Sequence, residues 1–302
     1  MSRAPTETRP DLYARVTQAI VEDLKRGVRP WAKPWSAEHL AGRIGRPLRH
    51  SGEPYRGINV VLLWAEAVAN GYSAPIWMTF RQALALGAHV RKGEHGATVV
   101  YADRIRRTEA DDDGQDVERE IPFLKAYTVF NVEQIEGLPG HFHAPAEPQL
   151  EPQQRIARAE AFFQALGADI RHGGNSAHYA LGSDHVQLPP FECFRDPESY
   201  YATAAHECVH WTRHPSRLDR DFGRKRWGDA GYAREELVAE LGAAFLCADL
   251  GLELTPREDH ASYLASWLEV LQLDRRFVFS AAAHAQRACE FLQGRQPAGD
   301  AA

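Results

Sequence analysis

The spacing of apolar positions switches from helical to alternating and back along this chain, and each switch marks a different kind of element. Leu12, Val16, Ala19, Ile20 and Leu24 recur at helical spacing ahead of Gly27, which predicts a first amphipathic helix. A second runs from about Asn59 to Asn70 before Gly71. Thr79 with Gln82 makes a capping-box pattern for a short third helix that Gly87 stops. Ala97 to Arg104 and Ile121 to Val132 then read as strands. Between them, Glu109-Ala110-Asp111-Asp112-Asp113-Gly114 is too polar to pack and reads as an exposed hairpin loop.

From Gly137 to Pro152 the chain carries Pro139, Pro145, Pro148 and Pro152 with few apolar residues, the pattern of a linker. Beyond it come a helix through Ile156, Phe162, Phe163 and Leu166, and short strands near Asp169, His178 to Leu181 and His185 to Leu188. Helices fill the carboxyl end, including His260 to Leu271 and Ser280 to Leu292. The expected fold class is α+β in two domains, 1–136 and 153–302, joined by 137–152. With 302 residues each has room for its own core, and Trp64 and Trp77 are expected inside the first.

Charge divides earlier, at about residue 107. The formal net charge of -6 conceals a basic front part and an acidic remainder, because residues 1 to 107 hold 17 Lys/Arg against 9 Asp/Glu. Such asymmetry points to a polyanion as partner of the amino-terminal part. Arg29-Pro30-Trp31-Ala32-Lys33-Pro34-Trp35 alternates cations with indoles in a proline-stiffened segment, and Tyr55-Arg56-Gly57 and Arg91-Lys92-Gly93 add basic positions near glycines. Cations hold phosphates and aromatic faces stack unpaired bases, so single-stranded nucleic acid fits better than duplex. No helix-turn-helix or zinc-finger spacing is present to read a groove.

The four cysteines are widely separated and form neither a zinc ribbon nor a disulfide framework; most are expected to be small buried hydrophobes. Apolar stretches such as Ile58 to Ala65 are too short to cross a bilayer, and no charged-then-apolar signal opens the chain. A cytoplasmic protein without a membrane partner is expected.

The strongest chemical signal is His206-Glu207-Cys208-Val209-His210. Residues four apart share a helical face, so both imidazoles can reach one metal ion with a carboxylate beside them. A chain with 14 histidines can reach this spacing by accident, so the flanks decide. Asp196 is a suitable N-cap, Pro197 suits the first helical position, and Glu198 favours the positive end of the dipole. A second helix is predicted around Ala233-Arg234-Glu235-Glu236-Leu237-Val238-Ala239-Glu240-Leu241, where Glu236 and Glu240 share a face. Glu236 lies at about the distance at which gluzincin-like metallopeptidases place a third ligand. Glu240 is the alternative ligand, or a hydrogen-bond partner that orients a histidine, and Glu235 reads as solvent-facing. With zinc bound, or manganese as the alternative, Glu207 would act as general base and Tyr232 could donate to an oxyanion.

Taken together the segments resemble the ArdC-type antirestriction proteins of conjugative plasmids, over roughly residues 10 to 293. The carrying segments are Pro30-Trp31 with Trp35, Tyr55-Arg56-Gly57-Ile58-Asn59, Trp77-Met78-Thr79-Phe80-Arg81-Gln82-Ala83, Val90-Arg91-Lys92-Gly93-Glu94 and Val129-Phe130-Asn131-Val132-Glu133-Gln134. In the second half they are His206 to Thr212, Ser216-Arg217-Leu218 and Glu235 to Leu241. The resemblance implies an amino-terminal domain that binds single-stranded DNA, with Arg81 joining the contacts above, and a carboxyl-terminal zincin-like metallopeptidase domain. It implies protection of incoming plasmid DNA from a recipient's restriction enzymes. The leading expectation joins the two domains in one protein, with a restriction component as the protein substrate of the second. Two other readings compete: a DNA-binding protein whose metal site is structural or vestigial, and a nuclease, which the acidic second half disfavours.

Overall fold

Helix α1, Leu12–Lys25, buries the stripe Val16, Thr17, Ile20, Val21 and Leu24 that its spacing predicts. It opens a computed structural model describing residues 12–29, 31, 45–110, 116–142, 152–223, 230–252 and 260–297, apart from the side chains of 104–110, 116–123, 152–155 and 260–263. There follow β1 (Leu48–Arg49), α2 (Ile58–Asn70), β2 (Ile76–Thr79), α3 (Phe80–Ala85), β3 (His89–Val90), β4 (Ala97–Ala110), β5 (Asp116–Asn131) and β6 (Ile135–Glu136). α2 ends at Gly71, whose φ of 69° needs a residue without a side chain. α3 starts on the expected capping box: Gln82 N donates to Thr79 Oγ1 at 3.3 Å, and Thr79 N to Gln82 Oε1 at 2.8 Å.

One sheet has the order β1-β2-β5-β4, with β1 and β2 parallel and the other pairs antiparallel. β4 and β5 pair from Ala97↔Val129 to Ala110↔Asp116. Both strands therefore run past their expected ends, and Glu109 and Ala110 belong to β4 rather than to a loop. Polarity alone misplaced them, because a two-stranded ribbon can carry polar residues on both wet faces. The remainder of that loop, 111–114, lies outside the described residues. β3 and β6 form a separate antiparallel pair.

The segment Asn131-Val132-Glu133-Gln134 is a structural latch. Asn131 is wholly buried and donates to Ala74 O at 2.8 Å, Glu133 Oε1 accepts from the Ser73 and Ala74 amides at 2.6 Å each, and Gln134 donates to Glu94 Oε2 and His95 O. Asn59 docks α2 on the edge strand β4 by pairing with both backbone groups of Val100 at 2.8 Å. The stretch expected to be a linker begins packed, with Leu138 and Phe142 buried; residues 143–151 lie outside the described residues.

The second half comprises α4 (Pro152–Ala165), the sheet β7-β9-β8 (Asp169–His172, His185–Leu188, His178–Ala180), α5 (Pro197–Trp211), α6 (Ala230–Leu250), α7 (His260–Leu273) and α8 (Phe277–Gln293). Helix α6 is buried around almost its whole circumference between α5, α7 and α8. Gly242 allows α5 to approach it, for a Cβ there would lie 2.7 Å from a methyl of Val209.

The halves share their larger core, an apolar cluster that runs from α1 and α2 through α5, α6 and α8, while a smaller cluster around Met78, Val132 and Ile135 belongs to the first half alone. Trp64 meets Phe245, Trp31 meets Trp267 edge-on, both at 6.0 Å, and Thr17 Oγ1 donates to Arg275 O. Arg46 is buried and forks onto Asp249 at 2.6 and 2.8 Å while donating to Gln286 at 2.7 Å. α1 packs on α7, and α2 packs on both β4 and α8, so the carboxyl-terminal helices cover apolar faces of the first half.

Candidate metal centre

Asp196 caps α5 as its sequence predicts, accepting from the Ser199 amide at 2.7 Å, and Pro197 occupies the first turn. The helix then carries His206 and His210 one turn apart, facing α6. His206 Nε2 and His210 Nε2 are 3.1 Å apart, and Glu236 presents Oε2 to the first and Oε1 to the second, each at 3.4 Å. All three residues are buried. Among the described residues, this is the group of His, Cys, Asp and Glu whose donor atoms converge closely enough for one ion.

The donor set fits a tetrahedral divalent metal. With metal–ligand bonds of about 2.0–2.1 Å, neighbouring ligand atoms on a tetrahedron lie about 3.3 Å apart, close to the separations found here. Three protein donors leave the fourth position of such a tetrahedron for water or substrate. Two imidazole nitrogens facing each other at 3.1 Å with a carboxylate between them also form an acceptor-rich pocket that a cation or proton must bridge. Burial alone would lower the His210 pKa, but Glu236 and Glu235 outweigh it and push it up to about 10. Burial would likewise raise Glu236, and the two imidazoles override it, holding the carboxyl well below the usual range.

Outside the donors, acids from α6 stand beside the far nitrogen of each histidine. Glu235 is not the solvent-facing residue its position suggested: it is 3 % exposed and meets His210 Nδ1 at 3.1 Å. Arg220, also buried, forks onto Glu235 at 2.6 and 2.8 Å and donates to Thr212 Oγ1 and Val209 O. Desolvation opposes the Glu235 charge, yet the guanidinium and imidazole pull its pKa down to about 2. Arg220 lies in the loop after α5 and carried no sequence signal. Glu240 Oε1 lies 3.5 Å from His206 Nδ1, just beyond a made hydrogen bond, which puts it beside the ligand rather than in the donor set. Glu207 is buried next to His206, and Tyr232 is buried one turn before Glu236. Arg217, from another of the sequence segments, clips this loop to the sheet: it lies 4.0 Å over Trp211, donates to Trp211 O at 2.6 Å and pairs with Asp184.

The residues singled out for nucleic acid are scattered by comparison. Trp31 is 1 % exposed and fills the interior against Trp267, so neither face is open to a base. Tyr55 is buried too, 5.6 Å beneath the Arg49 guanidinium. Arg56 is exposed but paired with Glu290 of α8. Arg29 is half-buried beside Glu240, with its pKa lowered by burial and supported by that carboxylate. Arg81, Arg91 and Lys92 are exposed, Arg91 bonding Glu94 at 2.6 Å. Lys33 and Trp35 lie outside the described residues. Cys208, Cys247 and Cys289 are buried and Cys193 is exposed. Among the described residues no helix is long and apolar enough to cross a membrane.

Two family models match: the N-terminal domain of anti-restriction factor ArdC over residues 10–130, and a zincin-like metallopeptidase over residues 157–284. The chain is 44% identical to the uncharacterized protein y4eC of Sinorhizobium fredii, over 96% of this chain and 94% of that one. It is 38% identical to a DNA primase TraC of Escherichia coli over 95% of its own length, but spans only 27% of that primase. Among solved structures it resembles the metal-free antirestriction ArdC protein from the R388 plasmid, with 44% identity, a TM-score of 0.80 and coverage of 95% of this chain and 98% of that one. The Mn(II)-bound form of that protein matches with 42% identity, a TM-score of 0.78 and coverage of 96% and 100%. A two-domain α+β chain whose second domain is zincin-like and brings together a converging His-His-Glu donor set, this protein belongs to the ArdC antirestriction family.

Proposed function

We propose that the protein binds single-stranded DNA through its amino-terminal part, whose first 107 residues are basic, and hydrolyses peptide bonds at the His206, His210 and Glu236 centre, shielding incoming plasmid DNA from restriction. The convergence of these three buried donors, 3.1 to 3.4 Å apart, carries the catalytic part of this reading. Zinc, or manganese as the alternative, would supply Lewis-acid activation of water and of a substrate carbonyl. Glu207 accepts the water proton and returns it to the leaving amine. Tyr232 donates to the oxygen that gains charge as the carbonyl is attacked. Glu235, fixed by Arg220, orients the His210 ring, and Glu240 orients that of His206. A restriction component as substrate and a cytoplasmic setting fit the same role.

The depth of the donors favours a second reading, in which the metal is structural and occupancy of the DNA alone protects it. Glu207→Ala separates the two. The variant should keep its metal and its affinity for single strands, yet lose protection when a plasmid enters a restricting host. Full protection by this variant would assign the centre a structural role.

A further inference from the structure

The four-stranded sheet carries a concavity of about 460 Å³ whose lining includes none of the residues singled out for nucleic acid except Tyr55. Its floor is apolar, with Trp77, Val99 and Val129 buried. One wall is the tight turn from Arg49 to Glu53, closed by the Arg49 amide on Glu53 O at 2.8 Å and the Gly52 amide on Arg49 O at 2.9 Å. Along the opposite side stand Tyr101 and Tyr127, 49% and 46% exposed. In the register Tyr127 faces Val99 and Tyr101 faces Lys125, so the two rings share one face as diagonal neighbours. Tyr101 Oη is held by Asp103 Oδ2 at 2.6 Å, which steadies its ring.

Single exposed tyrosines on a sheet are common and need no explanation. Two on one face, opening onto an apolar floor, offer a stacking platform. Arg49 and His50 line the rim and the exposed Lys125 flanks it. Arg49 meets Glu53 only at 3.5 Å with both side chains exposed, a weak pair that a phosphate can replace. We propose that this concavity binds unpaired bases of single-stranded DNA, with Tyr101 and Tyr127 as stacking surfaces and Arg49 and Lys125 as phosphate contacts. The assignment rests on the single-strand reading above and moves its contacts from the Trp31 segment to the sheet.

The test is fluorescence anisotropy of a labelled oligothymidylate with the full chain across a salt series, beside a duplex of equal length. Tyr101→Ala with Tyr127→Ala should weaken single-strand binding by roughly 5- to 150-fold per ring. Tyr101→Phe with Tyr127→Phe, which keeps both π faces, should bind within about twofold of the parent, stacking being indifferent to the hydroxyl. Arg49→Ala should shallow the salt slope by roughly 0.7. As a readout that needs no variant, photocross-linking of a bromouracil strand to the unaltered protein should label Tyr101 or Tyr127. If the unaltered protein binds single strands but the double alanine variant binds equally, or the cross-links fall elsewhere, the groove assignment is overturned alone. If the unaltered protein does not bind single strands, both the groove and the reading beneath it fall.

Discussion

The α5–α6 pair and the Arg29–Arg56 stretch both draw attention in the sequence, yet they put their polar and aromatic residues to opposite use. In the helix pair, His206, His210 and Glu236 turn inward on one point, with Glu235 and its partner Arg220 behind His210 and Glu240 beside His206. In the front stretch, Trp31 and Tyr55 are packing and Arg46 and Arg56 are fastened to α6 and α8. Spacing on a helix is enforced by backbone geometry, so it transmits function to the reader. A run of cations and rings has no such constraint, and its described members Trp31, Arg46 and Tyr55 serve the interior instead.

Breaking either region tests that contrast, and the largest effects should come from its buried members. Arg220→Ala leaves the buried Glu235 carboxylate without its guanidinium and with the His210 ring beside it, which should cost about 3–5 kcal/mol in urea unfolding and weaken metal binding as well. Trp31→Ala should cost a similar amount, about 3–5 kcal/mol, as a core truncation would. A Trp31→Ala protein of unchanged stability with reduced single-strand affinity would return that residue to the DNA surface.

Gly242→Ala drives a methyl into Val209 and should cost about 1–3 kcal/mol while shifting α5 against α6, read as lower metal affinity in a still-folded chain. Arg56→Ala removes an exposed pair and should change stability by less than about 1 kcal/mol. The smallest effect concerns Asp184, whose pKa Arg217 lowers against a desolvation penalty. A depressed carboxylate contributes stability above its unfolded pKa and loses it as pH falls through the folded value. Asp184→Asn should therefore differ from the parent by less than about 1 kcal/mol at neutral pH, and the difference should vanish in acid below the ordinary aspartate range. A difference that grows on acidification would contradict this.

Much of the local structure was legible. Asp196 and Pro197 announced α5, Thr79 and Gln82 announced α3, and both elements begin where those residues place them. Glu235 was not legible because α6 is buried on nearly every side: assigning one acid to water presumes a wet face, and this helix has little of one. Its partner Arg220 comes from an irregular loop, where no periodicity links sequence position to direction. The shared core was hidden for a related reason, since Trp31 meets Trp267 and Arg46 meets Asp249 across separations that no local window contains. The exposed pair Tyr101 and Tyr127 needed the β4–β5 register before it could be seen as one surface.

The central claim is that two imidazoles of α5 and the Glu236 carboxylate of α6 together hold one divalent ion. Elemental analysis with zinc and manganese titration of the parent, Glu236→Ala and Glu240→Ala tests it directly. One equivalent of metal is expected in the parent, with affinity lost by at least tenfold in Glu236→Ala and retained more closely in Glu240→Ala, since a group that only orients a ligand costs less than the ligand itself. Undiminished metal in Glu236→Ala would contradict the account.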